Sequence, residues 1–169
     1  MPDPNLTGTS ANYDWGVYNA ISNAGNQAGL WRTLSSAEWD YLFNTRKNAQ
    51  FLWSRGTVNG VVGMIILPDN FQKPSDISWT YRANNWTTNT YTTEQWATLE
   101  ALGAVFLPAS GDRSGAIVSG VQRYGSYWSG SYFYSGIAYY LDFSCDDLSP
   151  QDKFLRYCGY SVRLVQDLQ

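Results

Sequence analysis

Apolar and polar positions along this chain follow two different periods, and the changes from one to the other mark out its elements. Ser35-Ser36-Ala37-Glu38 has the form of a capping box, in which the Ser35 hydroxyl accepts from the Glu38 amide while the Glu38 carboxylate reaches back. The helix it opens, over about 36–46, brings Trp39, Leu42 and Phe43 to one face at the i, i+3, i+4 spacing. Thr92-Thr93-Glu94-Gln95 repeats that start chemistry. The second helix, over about 93–102, presents Trp96, Leu99 and Leu102 and stops at Gly103. Segments 51–55 and 61–67 read as strands joined at Asn59-Gly60, a tight-turn pair. Residues 30–34 and 104–107 read as further short strands, and 126–131, 138–144 and 160–165 as a β-meander. The fold class expected is therefore α+β, with two helices packed against a mostly antiparallel sheet.

The polar stretches divide the chain. Residues 1–15 read as an N-terminal arm and 16–169 as a single domain, with a short element around 16–22 and a loop at 23–29. A polar loop over 68–90 is longer than a mere connection requires, which makes it a candidate for function. Residues 108–115 read as a second loop. Within 138–144, alternation sends Leu141 and Phe143 inward with Tyr139, and turns Tyr140, Asp142 and Ser144 outward. In the last strand Val162 and Leu164 point inward. Tyr132-Phe133-Tyr134 falls between strands, in a loop where three rings together mark a contact surface. The stretch 126–160 is thus the expected ligand-contacting region.

Composition narrows the function classes. The chain has 169 residues, 17% of them aromatic and only 15% charged, with 13 Tyr against 7 Phe, a balance that suits half-wetted recognition surfaces. A net charge of −3, with no basic run beyond Arg46-Lys47, argues against nucleic acid and anionic membrane surfaces as partners. The apolar run 61–67 is far too short to insert in a bilayer, and the N-terminus lacks a signal peptide's basic and apolar regions. The chain contains no histidine. That removes Ser-His and Cys-His nucleophile pairs, imidazole metal sites and the commonest general base, so neither catalytic residues nor a cofactor are expected. No metal site is expected either. Asp142, Asp146, Asp147 and Asp152 lack the spacing of a calcium loop, and no Glu joins them.

Three segments carry a resemblance. Tyr127-Trp128-Ser129-Gly130-Ser131, Ala138-Tyr139-Tyr140-Leu141-Asp142-Phe143 and Gly159-Tyr160-Ser161-Val162-Arg163-Leu164-Val165 resemble the variable region of target proteins of diversity-generating retroelements. Trp31-Arg32-Thr33-Leu34, the stretch from Glu38 to Arg46, and Ile66-Leu67-Pro68-Asp69 resemble the framework of such proteins from gut bacteria and their phages. The resemblance covers roughly residues 12–166. It implies a C-type lectin fold of the formylglycine-generating-enzyme-like branch, a variable region at about 126–160, and a place at a cell surface or on a phage particle. It also implies error-prone copying of template adenines, which keeps Trp, Met, Lys, Gln and Glu out of diversified positions. Between Ser129 and Val165 only Gln151 and Lys153 belong to that excluded set.

Carried over position by position, the resemblance makes Trp128, Ser129, Ala138, Leu141, Phe143, Gly159, Val162, Arg163 and Leu164 fixed scaffold, with Trp128, Ala138, Leu141 and Phe143 turned inward. It makes Tyr132, Phe133, Tyr134, Tyr140, Asp142, Ser144, Asp146, Asp147, Phe154, Leu155, Tyr157, Cys158 and Tyr160 the diversified, ligand-facing set, its partner a protein or surface ligand. Members of that family usually carry further sequence before Tyr13-Asp14-Trp15-Gly16, which would cover a sheet edge. Cys145 and Cys158 are 13 positions apart. A disulfide there would contribute on the order of 3 kcal/mol, but the resemblance implies two unlinked thiols instead. Two other readings stand beside this one. The aromatic surface would be a subunit interface in a structural appendage, or the cysteines would serve a formylglycine-generating-like oxidase. The composition does not set the oligomeric state.

Overall fold

The computed structural model describes Leu6, residues 14–18, 20–21, 25 and 27–167. Most of the arm expected at 1–15, and positions 19 and 22 of the element expected around 16–22, lie outside the described residues. What is described of that element is one helical turn, α1 (Trp15–Tyr18).

Both capping boxes form. Helix α2 (Ser36–Asp40) begins with Ser35 Oγ accepting from the Glu38 amide at 3.2 Å and the Glu38 carboxylate accepting from the Ser35 amide at 2.7 Å. The helix then widens into a π-helical turn, Tyr41–Thr45, closed by the Arg46 amide donating to Tyr41 O at 3.0 Å. Arg46 is buried there and spends its guanidinium on the carbonyls of Leu42, Leu52 and Leu67 and on Asp69. A fixed cation that satisfies the last carbonyls of a helix stabilises its C-terminus. Helix α3 (Thr93–Ala101) starts on the Thr92–Gln95 box and ends at Gly103, whose φ of +89° suits glycine. Leu99 is buried beneath it, whereas Leu102, expected on the same face, is 41% exposed at the C-cap.

Strands β1 (Arg32–Thr33), β2 (Trp53–Val58), β3 (Val61–Ile66), β4 (Thr90–Tyr91) and β5 (Val105–Pro108) come first. They are followed by β6 (Asp112–Ser114), β7 (Ile117–Ser119), β8 (Tyr124–Tyr134), β9 (Ile137–Ser144), β10 (Leu148–Leu155) and β11 (Leu164–Val165). One sheet runs β4-β2-β3-β5, with β2 and β3 turning at Asn59-Gly60 and β4 lying parallel to β2. A second, antiparallel sheet runs β10-β9-β8. The class is α+β, and the described residues form no barrel.

Strand β3 is buried on both faces. Met64 and Ile66 point to a core shared with Trp39 and Phe43 of the α2 segment and with Tyr127, Leu141 and Phe143 of the second sheet. Ile65 and the following Leu67 point to the other side, against Leu99, Tyr91 and Ile77. Each fully buried apolar side chain of this kind contributes roughly 1.5–3 kcal/mol. Phe143 lies flat against Tyr127 at 6.0 Å and crosses directly over Gly125, where any Cβ would strike its ring.

Four expectations are corrected. Phe51 belongs to a 3₁₀ turn, Ala49–Phe51, and β2 begins only at Trp53 because the backbone is still turning off the π segment. The loop expected at 108–115 contains β6, which pairs with β7 in a hairpin. Strand β10 was not anticipated, since Pro150, a bulge after Ser149 and three polar residues hide its alternation. The last strand, β11, pairs with β1 rather than closing the meander, and Val162 before it is 50% exposed rather than inward.

Candidate functional site

The three-stranded sheet presents one face to the core and one away from it, and cross-strand register assigns each residue. Tyr127 stands opposite Leu141 and Gly125 opposite Phe143, all on the core face. Ser126 opposite Asp142 and Trp128 opposite Tyr140 therefore occupy the outer face, with Asp152 of β10 beside Tyr140. Trp128, expected inward, is on the outer side, as is Ala138, because both share the parity of Tyr140.

On this outer face the segment following β10 folds back over the sheet. Ser161 pairs with β8, its carbonyl accepting from the Trp128 amide and its own amide donating to Ser126 O, both at 2.9 Å. Tyr160 is thereby laid on Trp128 at 4.5 Å and on Tyr140 at 4.8 Å, with Phe154 at 6.1 Å. The Trp128 indole donates to Cys158 O at 3.2 Å, the Tyr140 hydroxyl to Asp152 at 3.1 Å, and Ser126 Oγ to Asp142 at 2.9 Å. The result is a layer of rings with every polar tip named here occupied, which makes it rigid.

The ionisation of this layer follows from its dryness. Burial pushes the Tyr140 phenol well above its ordinary range, and the carboxylates of Asp142 and Asp152 push it further. Tyr160 is raised for the same first reason. Both remain neutral at pH 7. Asp142 is also raised, by burial first, with the Ser126 hydroxyl pulling the other way. A carboxyl whose pKa is raised on folding opposes folding while ionised, and that penalty shrinks as pH falls from the raised value towards the ordinary one. Asp142→Asn keeps the Ser126 hydrogen bond and removes the charge. It should raise Tm at pH 7 by about 2–4 °C, the worth of roughly 1 kcal/mol in a domain of this size. The gain should close as pH falls below the ordinary carboxyl value of 3.8. Calorimetry across pH checks it, and an unchanged or lower Tm at pH 7 would contradict it.

The thirteen ligand-facing positions expected from the sequence fall into three groups. Tyr140, Asp142, Phe154, Tyr160 and Cys158 gather in the ring layer just described. Of these only Phe154 is substantially exposed, while Tyr140 (7%) and Cys158 (8%) are buried rather than outward. Tyr140 does leave the core face as alternation requires, but Tyr160 and Trp128 cover it. Ser144, Asp146 and Asp147 form the β9–β10 turn, where Ser144 Oγ accepts the amides of Asp146 and Asp147. The third group sits at the β8–β9 hairpin end. Tyr132, Phe133 and Tyr134 lie on β8 itself, not in a loop, with Tyr132 opposite Ala138 and Tyr134 opposite Ile137. Phe133 packs edge-on to Tyr139 at 5.2 Å beneath the Lys153 ammonium. Leu155, opposite Ile137, is half-buried, and Tyr157, in the loop after β10, is the most exposed large side chain of the set at 76%.

Comparison with protein-family models, with curated proteins and with solved structures finds no match.

Two residues read otherwise from sequence, and one not singled out there, matter to this surface. Trp128 was placed on the wrong face, although its neighbour Tyr127 would have set the parity. Asp152 carries the Tyr140 hydroxyl. Arg55, buried on β2, donates to Ser144 O and to Asp147 O (2.8 Å), pinning the β9–β10 turn to the other sheet. Cys145 and Cys158 are both free thiols. Among the described residues no group of three or more acidic or thiol side chains is placed to hold a metal. No described helix is long and apolar enough to cross a membrane.

Proposed function

We propose that this chain is a ligand-binding domain of the C-type lectin fold whose region 126–160 is diversified by a retroelement to recognise varied protein or cell-surface ligands. The observation that carries the reading is the division of labour in the three-stranded sheet. Its core face is locked by Tyr127, Leu141 and Phe143, while Phe133, Tyr134, Phe154 and Tyr157 stand 44–76% exposed at the far end. Exposed rings on a rigid support are efficient contact groups, because a Tyr or Phe loses only two torsions on binding. Several large exposed rings gathered at one end of a small domain call for a partner. Phe133 and Phe154 meet Tyr139, Lys153 and Tyr160 but none of the core side chains Tyr127, Leu141 and Phe143, so a lineage can vary these positions without losing the fold.

Two experiments test this reading. The DNA beside the gene should hold a near-copy of the 3′ coding end that differs only at adenines, next to a reverse-transcriptase gene. A displayed library randomised at Phe133, Tyr134, Phe154 and Tyr157 should keep cooperative melting, each site costing within about 0.5 kcal/mol. It should also yield binders to an unrelated protein. A control library at Tyr127, Leu141 and Phe143 should lose the fold. Equal collapse of both libraries would refute the scaffold reading. A concentration-dependent oligomer that buries the four rings would favour the appendage-subunit reading instead.

A further inference from the structure

Beside the ring layer, at the hairpin end of the three-stranded sheet, lies a cavity of about 220 Å³. The Trp128 ring, Tyr132, Ala138 and Val162 form much of its wall, and Arg156 stands at its side. The neighbouring polar groups are already engaged. Trp128 Nε1 donates to Cys158 O, Ser129 Oγ donates to Tyr139 O, and Ser131 Oγ accepts from the Ser36 amide. Arg156 differs. Its backbone is pinned by its amide donating to Gly136 O at 2.9 Å. Its guanidinium, however, takes part in none of the ion pairs found among the described residues, which are Arg32–Glu38, Arg32–Asp167 and Arg46–Asp69.

We infer that this cavity is a binding site for an apolar group carrying a carboxylate. The walls supply apolar contact, and the guanidinium supplies the forked donor geometry that matches a carboxylate. Pairing at the edge of an apolar hollow is stronger than in open water, because the local dielectric is lower. At about 220 Å³ the cavity is smaller than the roughly 300–1,000 Å³ of sites that enclose a whole drug-sized ligand. It suits one branched side chain with its acid group. A free small acid and the C-terminal residue of a peptide share that chemistry. The site does not depend on the exposed rings, and stands whether or not they are diversified.

The test uses N-acetyl-L-leucine and its carboxamide as probes, followed by Trp fluorescence and by backbone amide NMR shifts. The acid should saturate with a Kd on the order of millimolar, and the carboxamide should bind at least about tenfold more weakly. Chemical shifts should move at Trp128, Ala138 and Arg156. Arg156→Gln, an exposed change that leaves the fold intact, should lose the preference for acid over amide. Ala138→Leu, which fills the cavity, should abolish binding of the acid at unchanged Tm. An acetylated tripeptide ending in leucine then identifies the source. A gain of about tenfold or more over acetyl-leucine assigns the site to peptide C-termini, equal affinity assigns it to small acids, and both support it. Equal binding of acid and carboxamide, an unaffected Arg156→Gln variant, or no saturation by the acid overturns the inference. None of these outcomes bears on the library experiment, so the two readings fail separately.

Discussion

Arg55→Met is expected to destabilise the fold by about 3–5 kcal/mol, a loss of roughly 10 °C or more in Tm. Arg55 is 5% exposed, and its three donors reach Ser144 O, Ala83 O at 3.2 Å and Asp147 O at 2.8 Å. Its guanidinium also lies 5.8 Å from the Trp53 ring. Burial pulls its pKa down, yet an arginine keeps its charge, so the side chain stays a fixed cation among carbonyls. Methionine preserves much of the volume but leaves three carbonyls without that donor, each costing about 1–3 kcal/mol when desolvated. Arg55→Lys should recover only part of the loss, since one ammonium cannot span three carbonyls. Denaturant melts measure the effect, and hydrogen exchange should show the amides of Asp146 and Asp147 opening first. A loss below about 1 kcal/mol would mean that water replaces the guanidinium at the turn.

The second large effect concerns the polar loop before β4. Asn89 is 1% exposed, and its amide nitrogen donates to Ser54 Oγ, Arg55 O and Thr80 O at 2.8–3.0 Å. Its carbonyl oxygen accepts from the Thr80 amide at 2.9 Å. One side chain thus stitches the loop to β2. Asn89→Leu should cost about 3 kcal/mol, because it leaves several buried partners unsatisfied at once. Asn89→Asp keeps the acceptor but loses the donors and buries a charge. Burial raises such a carboxyl's pKa, so the variant's deficit should be full at neutral pH and shrink as pH falls and the group protonates. Thermal melts of both variants across pH check this, and an aspartate variant as stable as the parent at pH 7 would refute it. This network anchors to β2 the end of the long loop that from sequence was a candidate for function.

Features set by neighbouring residues were legible. The Ser35–Glu38 and Thr92–Gln95 boxes, the Asn59-Gly60 turn and the Gly103 stop each involve atoms within a few positions, so short motifs determine them. The core partners Trp39, Phe43, Leu99, Leu141 and Phe143 were also readable from their periods. Strand β10 was not. Its sequence, Leu-Ser-Pro-Gln-Asp-Lys-Phe-Leu, has no period of its own, and the chain becomes a strand there because β9 offers an edge. The buried arginines were equally silent, since a guanidinium becomes structural only when distant carbonyls converge on it.

The ligand-facing surface shows the same boundary most clearly. Sequence alone determined that 126–160 is rich in rings, that Leu141 and Phe143 face the core, and that Tyr140 and Asp142 face away from it. Alternation along one strand is enough for that. Tertiary structure decided that Tyr140 and Cys158 are covered, that Trp128 supports the outer layer, and that Phe133, Tyr134, Phe154 and Tyr157 remain exposed. The reason is that exposure depends on what lies above a side chain. Above Tyr140 lies Tyr160, brought there by the backbone pairing of Ser161 with β8, a contact between segments too far apart for any local period to encode.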